Sequence, residues 1–493
     1  MKGDSAESFV REVELHLRAH YPHVFIVTDE EERALRLLAI AADRVGMRVA
    51  APCREGRTEA PAPGDGRPVV TVFDDIHRRL DEPALLRRLA DMAAGGADRG
   101  VTVVIAPWVD LPPELERTSA VVELPLPSPE ELARELDAVC QEHGVLLTEA
   151  DAAALVRVGQ GLALAEARRA FAKALIGWPE DADGARASVE RDKRKALHRS
   201  RVLEHIPAPD SLDDVGGLDQ LKAWLAERRD AFSERARAYG LPAPRGLLLM
   251  GVQGCGKSLT AKAVASFWRL PLVRLDLSAV FGQPRPEEAL RGAIRVAEAM
   301  APVVLWIDEI EKGFDRDGGG MAVRLLGGMV TWLQEKSKEV FVVATANRVA
   351  DLPPELPRKG RFDEIFFVDL PNPRERNEIL FVHFERRGLD PSRFDIESLV
   401  KHTDRFTGSE LEQVIIAGMY SAFARGEAAA DGDFAAAAAE MVTLYDTFEP
   451  EIKALREWAR KRARAASTDR RKLDYFGQDG AANKHPEGGG EPR

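Results

Sequence analysis

Short, uninterrupted apolar runs punctuate this chain, and stretches with apolar residues at helical spacing separate them. In the first part, His23–Thr28 (HVFIVT), Met47–Pro52, Val69–Phe73 and Val101–Ala106 read as strands, and residues 1–20 and Asp29–Asp43 read as helices. Runs of this length between polar turns predict buried strands, and strands alternating with helices predict a parallel sheet. The Pro- and Gly-rich segment Glu59–Pro68 predicts a loop. From Ser128 to about Ile176 the pattern turns helical. The rhythm then starts again. Arg245–Met250 (RGLLLM), Val303–Ile307 and Val340–Thr345 read as strands, Leu259–Phe267 as a helix, and a helical segment runs on to about Ser467. The fold class predicted is α/β, twice over.

Wording repeats along with rhythm. Val69–Ile76 reads VVTVFDDI and Val303–Ile310 reads VVLWIDEI. Leu111–Arg117 (LPPELER) matches Leu352–Arg358 (LPPELPR), and Leu126-Pro127-Ser128-Pro129 matches Leu370-Pro371-Asn372-Pro373. The matches keep their order, which points to an internal duplication. The alternative is chance similarity between two α/β domains.

The chain has 493 residues, room for roughly three domains. Residues 1–180 form the first α/β domain. Residues 181–210 are charged, end in IPAPD, and predict a helical linker followed by an extended stretch. The second α/β domain covers 211–370 and the helical segment 371–467. Residues 468–493 contain GGGEPR and predict a disordered tail. The basic helix Lys453–Arg464 reads as a solvated or inter-subunit face. A formal charge of −12 argues against a nucleic-acid binder. No apolar run reaches the length of a membrane span. Cys53, Cys140 and Cys255 are too few and too scattered for a disulfide framework or a zinc site. The first residues lack the apolar core of a signal peptide, so a cytoplasmic location is expected.

Chemistry concentrates in the second domain. Gly251, Val252, Gln253, Gly254, Cys255, Gly256, Lys257 and Ser258 read GVQGCGKS, between a strand and a helix that opens at Leu259. This is the phosphate-binding loop pattern: glycines let backbone N–H groups turn inward around an anion, and the helix N-terminus adds positive potential. Lys257 is placed to reach the β- and γ-phosphates of ATP, and Ser258 to put its hydroxyl on Mg²⁺. Asp308 and Glu309 close the strand Val303–Ile307. Asp308 suits Mg²⁺, and Glu309 suits the activation of a water. Asn347 follows the strand Val340–Thr345, where a neutral amide can hold that water. The first domain has no such loop. Thr28–Arg33 reads TDEEER, whose acids would repel a triphosphate, and Trp108 stands near the place of Asn347.

Together with Asp214-Val215-Gly216-Gly217-Leu218, Ala346-Asn347-Arg348, RKGRFD (Arg358–Asp363) and Thr407-Gly408-Ser409-Glu410, these motifs resemble an AAA ATPase of the AAA+ superfamily over residues 211–425. The resemblance implies a large α/β subdomain, a small helical lid, and a homo-oligomeric ring, usually a hexamer. It implies that Val215 and Gly216 lie beside the adenine, that Gly408 and Ser409 open the lid helix bordering it, and that Arg358 and Arg361 complete a neighbour's site. The wording GVQGCGKS, AEAMAPVVLWIDEIEKGF and LPRKGRFDEIFFVDLP is similar to the AAA proteins encoded in plastid and cyanobacterial genomes as a hypothetical chloroplast reading frame. Those share the N-terminal half, which reads as a degenerate AAA-like domain. One departure stands out. Phe281-Gly282, followed by Pro284 and Pro286, replaces the usual aromatic–hydrophobic–Gly pore loop. The expectation is a Mg²⁺-dependent ATPase that remodels a protein partner. The rival is an ATP-controlled scaffold or switch that binds its partner without threading it.

Overall fold

In the computed structural model, the described residues are 5–50, 68–74, 76–94, 100–179, 181–199, 202–206, 215–314, 319–349, 352–353, 355–358 and 360–468. The loop Glu59–Pro68 up to residue 67, Cys53, Asp75, Asp214, Lys359 and the tail from 469 onward lie outside them. The chain divides into two units, Met1–Ser200 with Ile294–Met300, and Arg201–Ala293 with Ala301–Arg493.

The first unit is built on a five-stranded parallel sheet: β1 (His23–Val27), β2 (Arg48–Val49), β3 (Val69–Asp74), β4 (Val101–Ala106) and β5 (Ser119–Glu123). Their order is β2-β3-β4-β1-β5. β1 and β4 are buried along their whole length, which is why they read as unbroken apolar runs. β5 alternates between buried and open positions, as an edge strand does, and its sequence carried no continuous run. Helices Pro129–His143, Leu164–Gly177 and Ala182–Arg199 share a core around Leu136, Phe171 and Val189. The residues expected to form a linker therefore divide. Ala182–Arg199 is a packed helix with Ala185 and Ser188 buried, and Leu203–Ile206 joins the sheet of the second unit. High charge hid one buried stripe in that helix.

The second unit holds a seven-stranded sheet: β6 (Leu203–Ile206), β7 (Gly246–Gly251), β8 (Leu272–Leu275), β9 (Val303–Ile307), β10 (Val340–Ala346), β11 (Glu364–Val368) and β12 (Arg464–Ala465). Its order is β12-β11-β7-β10-β9-β8-β6, all parallel except β6. Set aside the two edges, and the five inner strands repeat the first sheet in the same permutation. That agreement supports the duplication read from the repeated wording. The connection from β7 runs to β8 and that from its neighbour β10 runs to β11, so the chain leaves these two strands in opposite directions, and ligands bind beyond the carboxyl ends of strands at such points. The helices Pro373–Arg386, Ile396–His402, Gly408–Arg425 and Asp431–Glu440 pack around Leu380, Phe384, Leu411 and Phe434. The segment after them returns to the sheet as β12, short of the expected end of the lid at 467.

The first unit fills the place of a phosphate loop with its own charges. Arg33 lies in the helix Glu31–Arg44 that follows β1, and only 3% of it is exposed. It donates to Glu30 at 2.8 Å, to the Pro125 carbonyl at 2.6 Å, and through two nitrogens to Glu131 at 2.8 and 3.1 Å. Glu30 in turn accepts the backbone N–H of Leu164, at the start of the helix Leu164–Gly177. A buried ion cluster stripped of one partner leaves uncompensated charge, which costs about 3–5 kcal/mol. Arg33→Met is therefore expected to destabilise the first unit by that amount. Denaturant unfolding of the full chain reads it as an earlier first transition, and an unchanged midpoint would contradict it.

Candidate functional site

The loop Val252–Gly256 connects β7 to the helix Lys257–Trp268. Its glycines are sterically required. A Cβ on Gly251 would lie 1.9 Å from the Val368 carbonyl oxygen, and Gly256 at the helix start has φ +88°. Lys257 is buried, and its ammonium donates to the loop's own carbonyls at Gly251 (2.8 Å) and Val252 (2.7 Å). Burial lowers its pKa to about 8. Desolvation pushes the Cys255 thiol up to about 12, against the thiolate form.

β9 and β10 deliver the polar side chains. Asp308 Oδ1 accepts from Ser258 Oγ at 3.1 Å and from Thr345 Oγ1 at 2.7 Å. The Glu309 N–H donates to the same Thr345 oxygen at 2.9 Å, and Glu309 takes φ +48°, a conformation that side-chain-bearing residues adopt at a cost. Asn347 Nδ2 donates to Glu309 Oε1 at 2.9 Å, while the Asn347 N–H donates to Glu311 Oε1 at 2.8 Å. Burial raises the Glu311 pKa, against the opposing pull of that backbone donor. Lys257, Ser258, Asp308, Glu309 and Asn347, picked out by the sequence, thus meet at the ends of three adjacent strands. Thr345 and Glu311 were missed. Thr345 had a signal, a lone hydroxyl inside an apolar strand; Glu311 had none beyond its position after two other acids.

The wall opposite is made by Val215–Leu218 and the lid. A Cβ on Gly216 would lie 2.7 Å from the Ile379 side chain, and the N–H groups of Gly217 and Leu218 donate to Glu378 (2.8 Å) and Glu375 (3.2 Å). The helix Gly408–Arg425 opens on a Thr407–Glu410 capping box, and the Ser409 N–H donates to the Gly254 carbonyl at 3.0 Å. Gly408 and Ser409 therefore border the phosphate loop, Gly216 packs on Ile379, and Val215 shares the core against which Cys255 packs. The C-terminal segment braces this wall: Ser467 donates to Glu375 and the Thr468 N–H to Asp219 at 2.8 Å.

Arg358 and Arg361 stand apart, between β10 and β11. Arg358 is exposed beside an open cleft of about 1110 Å³ lined by Arg245, Phe362 and Trp458, and none of the phosphate-loop residues lines it. Arg361 is half-buried and donates to its own chain at the Glu355 carbonyl. Asp363 serves the fold, accepting the N–H groups of Arg245 (2.7 Å) and Gly246 (3.0 Å) at the start of β7. In the first unit Asp74 is buried at the end of β3, and Trp108 packs edge-on against His77 with centroids 4.5 Å apart.

Comparison with known proteins agrees with this geometry. The profile described as "ATPase family associated with various cellular activities (AAA)" matches residues 247–370, and that of the "SpoVK-like AAA ATPase, N-terminal domain" matches 58–124. The "Uncharacterized AAA domain-containing protein ycf46" of Guillardia theta is 35% identical over 480 residues, covering 92% of this chain and 95% of that protein. The chain belongs to this AAA family. The protein of the same name from Gracilaria tenuistipitata var. liui is 38% identical over 404 residues, 80% of this chain and 82% of that one. The human "ATPase family gene 2 protein homolog A" is 30% identical over 216 residues, 41% of this chain and 24% of that one. As an AAA protein the chain carries a nucleotide-binding ATPase domain, with a second AAA-related domain before it. No helix among the described residues is long and apolar enough to cross a membrane.

Oxygen donors suit Mg²⁺. Ser258 Oγ and the Asp308 carboxylate face each other at the loop, and Mg²⁺ commonly takes one or two protein oxygens with phosphate oxygens and waters. No group of three or more His, Cys, Asp or Glu among the described residues could hold a metal alone.

Proposed function

We propose that this AAA protein hydrolyses ATP with Mg²⁺ as a homo-oligomer, most simply a hexameric ring in the cytoplasm, and uses the energy to remodel a protein partner. One observation carries the reading. Thr345 ties Asp308 and Glu309 to β10, and Asn347 ties Glu309 to the end of the same strand, directly across from the phosphate loop. Bound Mg²⁺ supplies neutralisation of phosphate charge. Ser258 and Asp308 would hold it, Lys257 would leave the loop carbonyls for the terminal phosphates, and Glu309 would accept the proton of a water that Asn347 orients. Arg358 is the better candidate for a neighbour's site, because its guanidinium is exposed whereas Arg361 is engaged within its own chain.

A second reading, the ATP-controlled switch, draws on one feature. Phe281 is half-buried at the end of the helix Leu277–Phe281, whose start is capped by Asp276, and so does not stand out on an extended loop. Assembly tests the shared part of both readings. With Mg·ATP, the Glu309→Gln protein is expected to form one closed multi-subunit species in mass photometry, and to dissociate when nucleotide is removed. A monomer under both conditions would contradict it.

A further inference from the structure

Glu309 meets two donors at its carboxylate. Asn347 Nδ2 reaches Oε1 at 2.9 Å, and the Lys312 ammonium closes an ion pair with Oε2. Lys312 lies in the 3-10 turn Ile310–Phe314, immediately after the two acids. The backbone of Glu309 is held as well, by Thr345. Asn347 has a task in the proposed chemistry, and Lys312 has none. A carboxylate that activates water must be free to turn an oxygen toward it. Here Oε1 accepts from Asn347 and Oε2 is tied to Lys312, so the carboxylate is fixed in orientation through both of its oxygens.

We propose that Lys312 is a positioning residue that holds Glu309 back from the attacking water, so that basal hydrolysis waits on the breaking of this ion pair. The proposal rests on Glu309 acting as the base. The pair is suited to a restraint that yields: the Lys312 side chain is 60% exposed and that of Glu309 30%, and partly exposed pairs are weak and screened by salt. The turn carrying Lys312 also packs against the helix Leu277–Phe281. A partner that displaces Phe281 therefore acts on Lys312 through a single packed element, and frees Glu309 without touching the nucleotide.

The test is steady-state hydrolysis by the full chain at saturating Mg·ATP, from low to high salt, for wild type, Lys312→Met, Lys312→Gln and Lys312→Arg. The Met and Gln variants are expected to raise kcat about two- to fivefold at low salt with KM unchanged. They lose most of their salt dependence, whereas wild type and Lys312→Arg speed up as salt rises. ATP affinity, measured alongside, shows that the loop is intact. Met and Gln variants at or below the wild-type kcat overturn the proposal. Glu309→Gln is run in parallel. If it keeps wild-type activity, the assignment of the base fails; if it is inactive while Lys312→Met matches wild type, only the restraint fails.

Discussion

Glu309→Gln is expected to lower kcat by about 10²–10⁴-fold while ATP still binds, the range that a positioned general base contributes. The substitution is nearly isosteric. The Asn347 amide keeps an oxygen acceptor, and the Glu309 N–H still reaches Thr345 Oγ1, because that bond belongs to the backbone. Lys257, Ser258 and Asp308 are untouched, so affinity for Mg·ATP is unchanged. What disappears is the negative charge and the capacity to take a proton. Single-turnover hydrolysis beside equilibrium nucleotide binding separates the two. Loss of binding in proportion to loss of rate would mean that Glu309 supports the loop and does not act on water.

Arg358→Ala is expected to cost about 10³-fold or more in kcat, again with binding retained, since an arginine supplied across an interface is worth about 10³–10⁵. Among the described residues the exposed guanidinium has no bond to lose, and the backbone at this position is held by the Arg358 N–H bond to the Glu355 carbonyl. Arg361→Ala makes the contrast. Its side chain bonds Glu355 within the chain, so its loss loosens the segment between β10 and β11, and a fall in thermal stability accompanies any fall in rate. Equal stability losses in the two variants would remove the reason for preferring Arg358.

The site was legible where function fixes residue type at short range. The phosphate loop needs its glycines, lysine and serine in a row, and Asp308, Glu309 and Asn347 each follow an apolar run directly. Strands β1, β4, β7, β9 and β10 were legible for the same reason: burial along their whole length keeps them almost wholly apolar, whereas the shorter or more open β5, β8 and β11 carried no such run. What escaped depends on pairing between distant segments. β12 consists of two residues whose only reason to be a strand is the open edge of β11. Glu375 and Glu378 brace Gly217 and Leu218 from some 160 residues away, which no local pattern announces. The helix Ala182–Arg199 was read as linker because Ala185, Ser188 and Val189 make a thin buried stripe among charges. Arg33, Glu30 and Glu131 were visible as acids unsuited to a phosphate, but their closing on one another was not.

The most direct measurement of the central claim is ATP hydrolysis per subunit as a function of protein concentration, with Arg358→Ala alongside. If the site is completed by a neighbour, wild-type specific activity climbs with concentration to a plateau, and the variant stays flat while binding ATP normally. Specific activity independent of concentration in a protein that remains monomeric, or an Arg358→Ala curve that follows the wild type, would contradict a shared ATPase site.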